Sequence, residues 1–282
     1  MSDDIGDSPA SGLIIPLKSK NAYAFFSASG LERPSAYGRM IYRDGKDPKR
    51  LNMCGRYSLL CIDDLGNRFR VYDPVMGLRS RFNVVPGDEM PVIVRSSKNE
   101  VARMCWGLIP HWTKDIRTAA RSINARAESL AEKPSFRPLI RTGRCLVPAS
   151  GFYEWKKEWG RRAPFYFSVP ESPLFAFAGL YDCWQNPGGA ALVTYTIITC
   201  EPNALVREIH ARMPAILRRE DEDRWLSQEP PGREELTRML SPYPAQLMEK
   251  VAVSDLVNDP QVDDERLVQP VVSHTGTQTT LR

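Results

Sequence analysis

Short segments rich in β-branched and aromatic residues recur along this chain, and they constrain its fold more than any other feature. They lie at 91–95, 101–106, 145–147, 164–169, 174–180 and 192–199. Segments of this length and composition predict β-strands. The stretches between them are irregular and lack the regular helical crossovers of a parallel sheet. We therefore expect an α+β protein built on a strongly curved, barrel-like mixed β-sheet.

Helical segments are predicted to be few and short, and to flank this sheet. They cover 59–69, 203–210, 221–226 and 233–240. With 282 residues, of which 42% are hydrophobic, the chain can bury a substantial core.

The folded part is expected to be a single domain over residues 54–270. Residues 1–52 mix Gly, Ser, Pro and charged residues without sustained periodicity. Such a composition predicts a disordered extension, or sequence upstream of a misassigned start. The polar residues 271–282 are expected to form a flexible tail.

Composition argues against several classes of protein. No apolar run approaches the about 20 residues of a membrane span, and Asp3, Asp4 and Asp7 stand where an export signal would be basic. Six cysteines without a Cys-x-x-Cys pair, and only three histidines, argue against a zinc module and a disulfide framework. We expect a cytoplasmic monomer without metal or cofactor, associated with the nucleoid if it binds DNA.

Positive charge is concentrated in the middle of the chain. Between Arg103 and Arg162 there are 13 Lys and Arg residues against 5 Asp and Glu, whereas the whole chain has a net charge of only +4. An ordinary solvated surface is one explanation. A face that binds a polyanion is favoured, because clustered Lys and Arg neutralise phosphates.

The pentapeptide Met53-Cys54-Gly55-Arg56-Tyr57 places a cysteine directly after an internal methionine. If the chain began at Met53 and lost it, Cys54 would carry a free α-amine and a thiol two carbons apart. Such a pair condenses with an aldehyde: the amine forms an imine, and the thiol then closes a thiazolidine ring. The second step is intramolecular and gains a high effective concentration.

Further motifs follow this cysteine in a characteristic order. They are Phe82-Asn83-Val84-Val85-Pro86-Gly87, Trp106-Gly107-Leu108-Ile109-Pro110-His111-Trp112, Arg121-Ser122-Ile123-Asn124-Ala125-Arg126-Ala127-Glu128, Gly151-Phe152-Tyr153-Glu154-Trp155, Ile209-His210-Ala211-Arg212-Met213-Pro214 and Val253-Ser254-Asp255-Leu256-Val257-Asn258. Together with Cys54-Gly55-Arg56-Tyr57 they resemble the SRAP family, the "SOS response-associated peptidases". The resemblance runs from Cys54 to about residue 270.

This resemblance implies a sensor of abasic sites in single-stranded DNA. It implies a covalent thiazolidine link between an N-terminal Cys54 and the ring-opened sugar, and removal of the residues before that cysteine. The 52 preceding residues depart from the family pattern, because an amide at Cys54 cannot form the ring. A misassigned start, self-cleavage and a naturally blocked variant are the three explanations.

Three further side chains are candidates for the chemistry around Cys54. Glu154 lies among aromatic residues, where desolvation would raise the pKa of its carboxyl towards working pH. His210 is a candidate for opening the sugar hemiacetal, and Asn124 for orienting the amine. Their structural alternatives are an exposed strand glutamate, a histidine at a helix C-terminus and a turn asparagine. His111 and His274 match no family position.

DNA contacts are expected from Arg56, Arg126 and Arg212, because a planar guanidinium binds phosphate oxygens in pairs. Each arginine follows a catalytic candidate by two residues, and residues i and i+2 share a face in extended chain. Trp106 and Pro86 are candidates for an apolar platform that stacks on flanking bases. A plain core position is the alternative for Trp106.

Two other functions remain open at this point. One is a cysteine-dependent hydrolase that uses Cys54, His210 and Glu154, with its own Met53–Cys54 bond as substrate. The other is a non-covalent reader of damaged or modified DNA.

Overall fold

The computed structural model describes residues 13–16, 23–26, 54–71, 77–116, 121–158, 160–185 and 191–271, in which 14 strands and 5 short α-helices occur. The strands are β1 (Leu13–Pro16), β2 (Tyr23–Phe26), β3 (Tyr57–Leu59), β4 (Arg81–Val84), β5 (Glu89–Arg95), β6 (Asn99–Trp106), β7 (Asn124–Arg126), β8 (Arg144–Ala149), β9 (Gly151–Glu158), β10 (Arg161–Ser168), β11 (Phe175–Gln185), β12 (Ala191–Cys200), β13 (Met213–Pro214) and β14 (Glu249–Ala252). The helices are α1 (Leu65–Phe69), α2 (Leu139–Thr142), α3 (Ala204–Arg207), α4 (Arg219–Trp225) and α5 (Arg233–Met239), with 3₁₀ turns at Ala127–Ser129, Ala245–Leu247, Asp255–Asn258 and Glu265–Leu267.

Five strands close into a barrel in the order β11-β8-β5-β6-β12, because β12 pairs with β11 as well as with β6. The β6–β12 pairing is parallel and the other four are antiparallel, so the barrel is mixed. The short strands β7 and β13 extend it beside β12. The predicted α+β fold with a barrel-like mixed sheet is confirmed.

A second, antiparallel sheet has the order β14-β10-β9-β3-β4. The chain passes from the barrel into this sheet at Ser150, between β8 and β9, where Ser150 N donates to Ser58 O. A Cβ at the next residue, Gly151, would lie 2.2 Å from the ring of Tyr166. Only glycine fits this close approach, and it sets the course of β9.

Buried aromatic rings join the two sheets. Tyr57 of β3 packs edge-on against Trp106 of β6, with ring centroids 5.2 Å apart, and Trp106 stacks on Tyr195 of β12 at 6.4 Å. The hydroxyls of Tyr57 and Tyr195 share a hydrogen bond of 2.8 Å. These contacts hold the first residue of β3 against β6 and β12 of the barrel.

The C-terminal part of the chain is held against β4 by one buried asparagine and one aspartate. Asn83 Nδ2 donates to the backbone carbonyls of Val257, Asp259 and Val262. Asp263 accepts hydrogen bonds from the backbone N–H groups of Phe82 and Asn83. Because buried polar groups need partners, this network fixes the path of residues 257–263.

The six predicted strands are confirmed, with ends that differ by a few residues. The helix predicted over 59–69 is wrong in its first half, since Leu59 pairs in β3 and α1 begins at Leu65. The helix predicted over 203–210 is shorter, because α3 ends at Arg207. The segments predicted at 221–226 and 233–240 correspond to α4 and α5.

Most of residues 1–52 and all of 272–282 lie outside the described residues, so the disorder expected there stays a prediction. Within 1–52, β1 and β2 form an antiparallel pair. In the described part of the chain, no helix is long and apolar enough to cross a membrane.

Candidate active site

Cys54 lies just before β3, where the second sheet meets the end of the barrel, and it is buried. Its backbone nitrogen donates to Oε1 of Glu154 at 2.7 Å. Its thiol points to the backbone carbonyl of Arg212, with Sγ 4.0 Å from that oxygen. Its φ of 25° is one of two positive values at non-glycine residues in the described chain. That backbone conformation is strained for a side chain with a Cβ.

Glu154 reaches Cys54 because β9 pairs with β3, where Tyr57 lies opposite Phe152 and Tyr153 N donates to Arg56 O. Its side chain faces inward and the residue is only 3% exposed. Burial raises the pKa of the Glu154 carboxyl, and His210 and the hydrogen bonds from Cys54 oppose the rise. A carboxyl with a raised pKa can exchange a proton near neutral pH.

His210 lies in the turn after α3, a helix capped by Asn203, whose side chain accepts from Val206 N. Its Nδ1 is 3.7 Å from Oε1 of Glu154. The same nitrogen is 3.2 Å from the backbone N and 3.1 Å from the backbone O of Arg212. The backbone of Arg212 and the buried carboxyl of Glu154 therefore both lie at the Nδ1 edge of the ring.

Asn124 is the first residue of β7, which runs parallel to β12 with Asn124 opposite Ile197. Its Nδ2 donates to the backbone carbonyl of Cys54 at 3.4 Å. The structure thus brings Cys54, Asn124, Glu154 and His210 to one place from four separate segments of the chain. The catalytic roles given to them from the sequence stay predictions.

The surroundings of the Cys54 thiol disfavour its thiolate form. Burial raises the pKa of this thiol well above its usual value, and the Glu154 carboxylate adds to the rise. Cysteine nucleophiles of hydrolases have lowered pKa values in electropositive surroundings. In this respect the Cys54 thiol differs from such nucleophiles.

The three arginines expected to contact DNA differ in their surroundings. Arg126, at the end of β7, is exposed. Arg56 is buried at 6% exposure beside Asn83, where Nη1 donates to Oδ1 at 3.4 Å, and burial lowers the pKa of its guanidinium. Arg56 is interior because its backbone pairs with Tyr153 of β9. The phosphate contact expected of Arg56 does not fit this position.

Arg212 is tied to protein groups. Its guanidinium forms a two-pronged pair with Glu128 at 2.5 and 3.0 Å, contacts Glu201 at 3.2 Å and donates to Thr199 O at 2.6 Å. Only 11% of the side chain is exposed. The backbone of the same residue contacts His210 and Cys54, so these pairs hold the turn that carries the site.

Trp106 and Pro86 do not form a platform for bases. Trp106 is 1% exposed, with its indole Nε1 donating to Ile123 O, and it occupies the core between Tyr57 and Tyr195. Pro86 is buried in a turn over residues 85–88, where Asp88 N donates to Val85 O. For Trp106 the structure has the core alternative, because its ring packs against both Tyr57 and Tyr195 and is closed off from solvent.

An open pocket of about 620 Å³ lies beside His210. Its walls come from the segments around β7, the end of β12 and the turn before β13, and they comprise Arg126, Glu128, Ser129, Lys133, Glu201, His210, Ala211 and Arg212. Glu128 received no role from the sequence, although it lies in the motif of Asn124. Glu201 gave no signal, and Lys133 was part only of the general excess of positive charge between residues 103 and 162, because their place in the pocket depends on how distant segments meet.

Of the two remaining histidines, only His111 is among the described residues, and it contacts an aspartate outside this group. Nδ1 of His111 is 2.8 Å from Asp182, which also accepts from the His111 backbone N. His274 lies outside the described residues. In the described part of the chain, no group of three His, Cys, Asp or Glu side chains is close enough to hold a metal ion.

The fold and the site together define a class of protein: a mixed β-barrel with a second sheet, and a buried cysteine whose nitrogen contacts a glutamate. Residues 53–260 match the family model described as SOS response associated peptidase (SRAP). The chain belongs to this family, as the motifs of its sequence indicate.

Relatives of known name support the assignment. The chain is 41% identical to the abasic site processing protein YoqW of Bacillus subtilis over 222 residues, which cover 77% of this chain and 99% of YoqW. It is 31% identical to the abasic site processing protein HMCES of Gallus gallus, over 68% of this chain and 67% of HMCES. A crystal structure of a protein from Bacteroides thetaiotaomicron, 31% identical, superposes with a TM-score of 0.68 over 78% of this chain and all of that one.

Proposed function

We propose that this protein processes abasic sites in DNA, by a covalent link between Cys54 and the ring-opened sugar of the lesion in a single strand. The observation that carries the proposal is the contact of 2.7 Å between the Cys54 nitrogen and Glu154 Oε1. The contact gives the nitrogen that would become the attacking amine an acid-base group within hydrogen-bond distance. The relatives in B. subtilis and G. gallus are named abasic site processing proteins, which supports abasic DNA as the substrate.

The amine of Cys54 is the first nucleophile. An α-amine has a pKa of about 7.7–8.0, so most of it is protonated at neutral pH. Glu154 takes a proton from the ammonium group, and its raised pKa suits it to return that proton to the carbinolamine oxygen. The amine nitrogen bonds to C1 of the aldehyde and water leaves, which gives an imine.

The thiol of Cys54 then closes the ring. Its sulfur bonds to the imine carbon, and the thiol proton passes to the nitrogen. The product is a thiazolidine, and the two steps together release one water. Because the pKa of the thiol is raised, a base must accept its proton during attack, and Glu154 is within reach for this transfer.

His210 and Asn124 are given the supporting roles. His210 faces Glu154 at the edge of the open pocket, where it moves the proton that opens the sugar hemiacetal to the aldehyde. Asn124 holds the Cys54 carbonyl and so orients the amine. Arg126 contacts a phosphate, and Arg212 contacts one only by exchanging an acidic partner for it.

The mechanism requires Cys54 to become the first residue. Its φ of 25° supports such a maturation, because positive φ at a residue with a Cβ costs about 1–3 kcal/mol, and φ ceases to be constrained once the preceding residue is removed. Glu154 contacts the nitrogen that would leave in self-cleavage, which favours a peptidase activity confined to the Met53–Cys54 bond.

Adduct formation with DNA tests the proposal. Chains produced from Met1 and from Met53 are analysed by intact mass and then incubated with single-stranded DNA in which uracil-DNA glycosylase has made one abasic site. The form that begins at Cys54 is expected to give a denaturation-resistant adduct. Cys54→Ala should give none, whereas Cys200→Ala, a matched change at another buried cysteine, should react normally. Equal adduct from Cys54→Ala would overturn the mechanism.

A further inference from the structure

The open pocket beside His210 has an uneven distribution of charge. Its lining includes the cations Arg126, Lys133 and Arg212 and the anions Glu128 and Glu201. Both anions contact the same cation, Arg212. The positive charge of Arg212 is therefore neutralised within the protein.

The hydrogen bonds of Arg212 leave it little capacity for a new anion. Its two terminal nitrogens donate to Glu128, Glu201 and the carbonyl of Thr199. The hydrogen bond from Arg212 also lowers the pKa of the Glu128 carboxyl, which keeps this partner ionised. A phosphate would have to displace a charge-assisted pair to bind here.

Arg126 and Lys133 are placed differently. Both are exposed, and within the described chain neither forms an ion pair with a carboxylate. A short turn connects them: Ser129 Oγ donates to Arg126 O, and Lys133 N donates to Ser129 O. Lys133 Nζ lies 5.9 Å from the ring centroid of Phe136. Among the cations that line the pocket, Arg126 and Lys133 are thus the two whose side chains no ion pair holds in the described chain.

We propose that Arg126 and Lys133 form a phosphate subsite for the DNA backbone next to the reacting nucleotide, with Lys133 as a contact that the sequence motifs did not reveal. This inference rests on the proposed function, since it identifies where the single strand lies. Glu128 and Glu201 hold Arg212, so in this inference the phosphate next to the lesion is bound by Arg126 and Lys133. Arginine binds two oxygens of the phosphodiester, and lysine adds a point charge.

The salt dependence of binding tests this subsite. The full chain is titrated with a single-stranded oligonucleotide that carries one tetrahydrofuran abasic analogue, which binds but cannot open to an aldehyde. Each phosphate contact contributes about 0.7 to the slope of log K against log[salt] for single strands. Lys133→Gln and Arg126→Gln are each expected to lower the slope by about that amount. Lys133→Arg should restore it, and Lys114→Gln, at an exposed lysine outside the pocket, should leave it unchanged.

A neutral methylphosphonate locates the contact. It replaces one phosphate at a time within two nucleotides of the analogue. At one position the replacement should lower the slope of log K against log[salt] by the same amount in the wild type. In Lys133→Gln the replacement at that position should not lower the slope further. If every position lowers the slope of the variant as much as that of the wild type, the subsite next to the lesion is wrong.

The outcomes separate this inference from the proposed function. If the wild type binds and its form beginning at Cys54 gives adducts, an unchanged slope in Lys133→Gln overturns the subsite alone. If the wild type has the expected slopes but its form beginning at Cys54 gives no adduct on true abasic DNA, the covalent mechanism alone is overturned. Absence of any binding by the wild type overturns both.

Discussion

The backbone nitrogen of Cys54 and the Oε1 atom of Glu154 lie 2.7 Å apart, although the two residues are 100 positions apart in the sequence. The contact exists because β3 and β9 pair in one register, with Tyr57 opposite Phe152. In the proposed function this carboxyl acts on the same nitrogen twice: when the nitrogen leaves the Met53–Cys54 peptide bond, and when it attacks the aldehyde as an amine.

Removing the charge of Glu154 is expected to slow cross-linking. Glu154→Gln keeps the shape and an oxygen for the Cys54 nitrogen but cannot move a proton. Positioned acid-base groups contribute about 10²–10⁴-fold to rates, so the single-turnover rate of adduct formation by the form beginning at Cys54 should fall by that range. Denaturing gels of quenched time points measure it. Glu171→Gln, at an exposed glutamate outside the pocket, is the matched control; a wild-type rate in Glu154→Gln would exclude acid-base chemistry by this residue.

The same carboxyl should make the stability of the full chain depend on pH. Because the pKa of Glu154 is raised on folding, the folded chain keeps its proton at pH values where the unfolded chain, with a pKa of about 4.3, has lost it. Stability relative to Glu154→Gln is greatest below the unfolded pKa and falls as pH rises through the folded pKa. Urea denaturation of both chains between pH 4 and about 8 checks the sign. If the stability of the wild type relative to Glu154→Gln instead rises with pH, the burial effect is contradicted.

His210 is expected to act on the sugar ring and not on the aldehyde. His210→Gln should slow cross-linking to abasic DNA, in which the aldehyde must first be released from the hemiacetal. The reaction of the N-terminal cysteine with a small aldehyde that has no cyclic form should be nearly unchanged, as measured by the mass of the thiazolidine. Equal losses on both substrates would assign His210 to the amine or thiol steps instead.

Asn83 is predicted to be a main determinant of stability for the C-terminal segment. Asn83→Ala leaves three backbone carbonyls at 257, 259 and 262 without their donor. Unpaired buried polar groups cost about 1–3 kcal/mol each, and the free energy of unfolding should fall by about 2–4 kcal/mol in urea titrations. Asn67→Ala, at an exposed position of α1, serves as control and should change it by less than about 0.5 kcal/mol. Equal stability of the two variants would exclude this role.

The long, periodic strands could be predicted because alternation and β-branched composition depend on residues that are neighbours in sequence. The segments 91–95, 101–106 and 192–199 all lie within strands of the barrel. The first half of the helix predicted at 59–69 was wrong for the opposite reason. Residues 57–59 become a strand only because β4 and β9 lie on either side of them, and local propensity does not include such partners.

The candidate site likewise has features that the sequence could predict and features that it could not. The sequence by itself determined which residue types are present: a cysteine after a methionine, a glutamate among aromatic residues, a histidine and an asparagine in separate motifs. It did not determine their surroundings. Trp106 was a candidate platform for bases, but it is a core residue. Arg56 was a candidate phosphate ligand, but it is buried.

Only the tertiary structure decided which atoms meet. The register of β3 on β9 brings Glu154 to the nitrogen of Cys54, and the pairing of β7 and β13 with β12 brings Asn124 and the His210 turn to the same place. It also pairs Glu128 with Arg212 and leaves Arg126 and Lys133 facing the pocket. Burial and charge pairing arise from segments far apart in the chain, so they set pKa values and accessible charges that the sequence motifs do not contain.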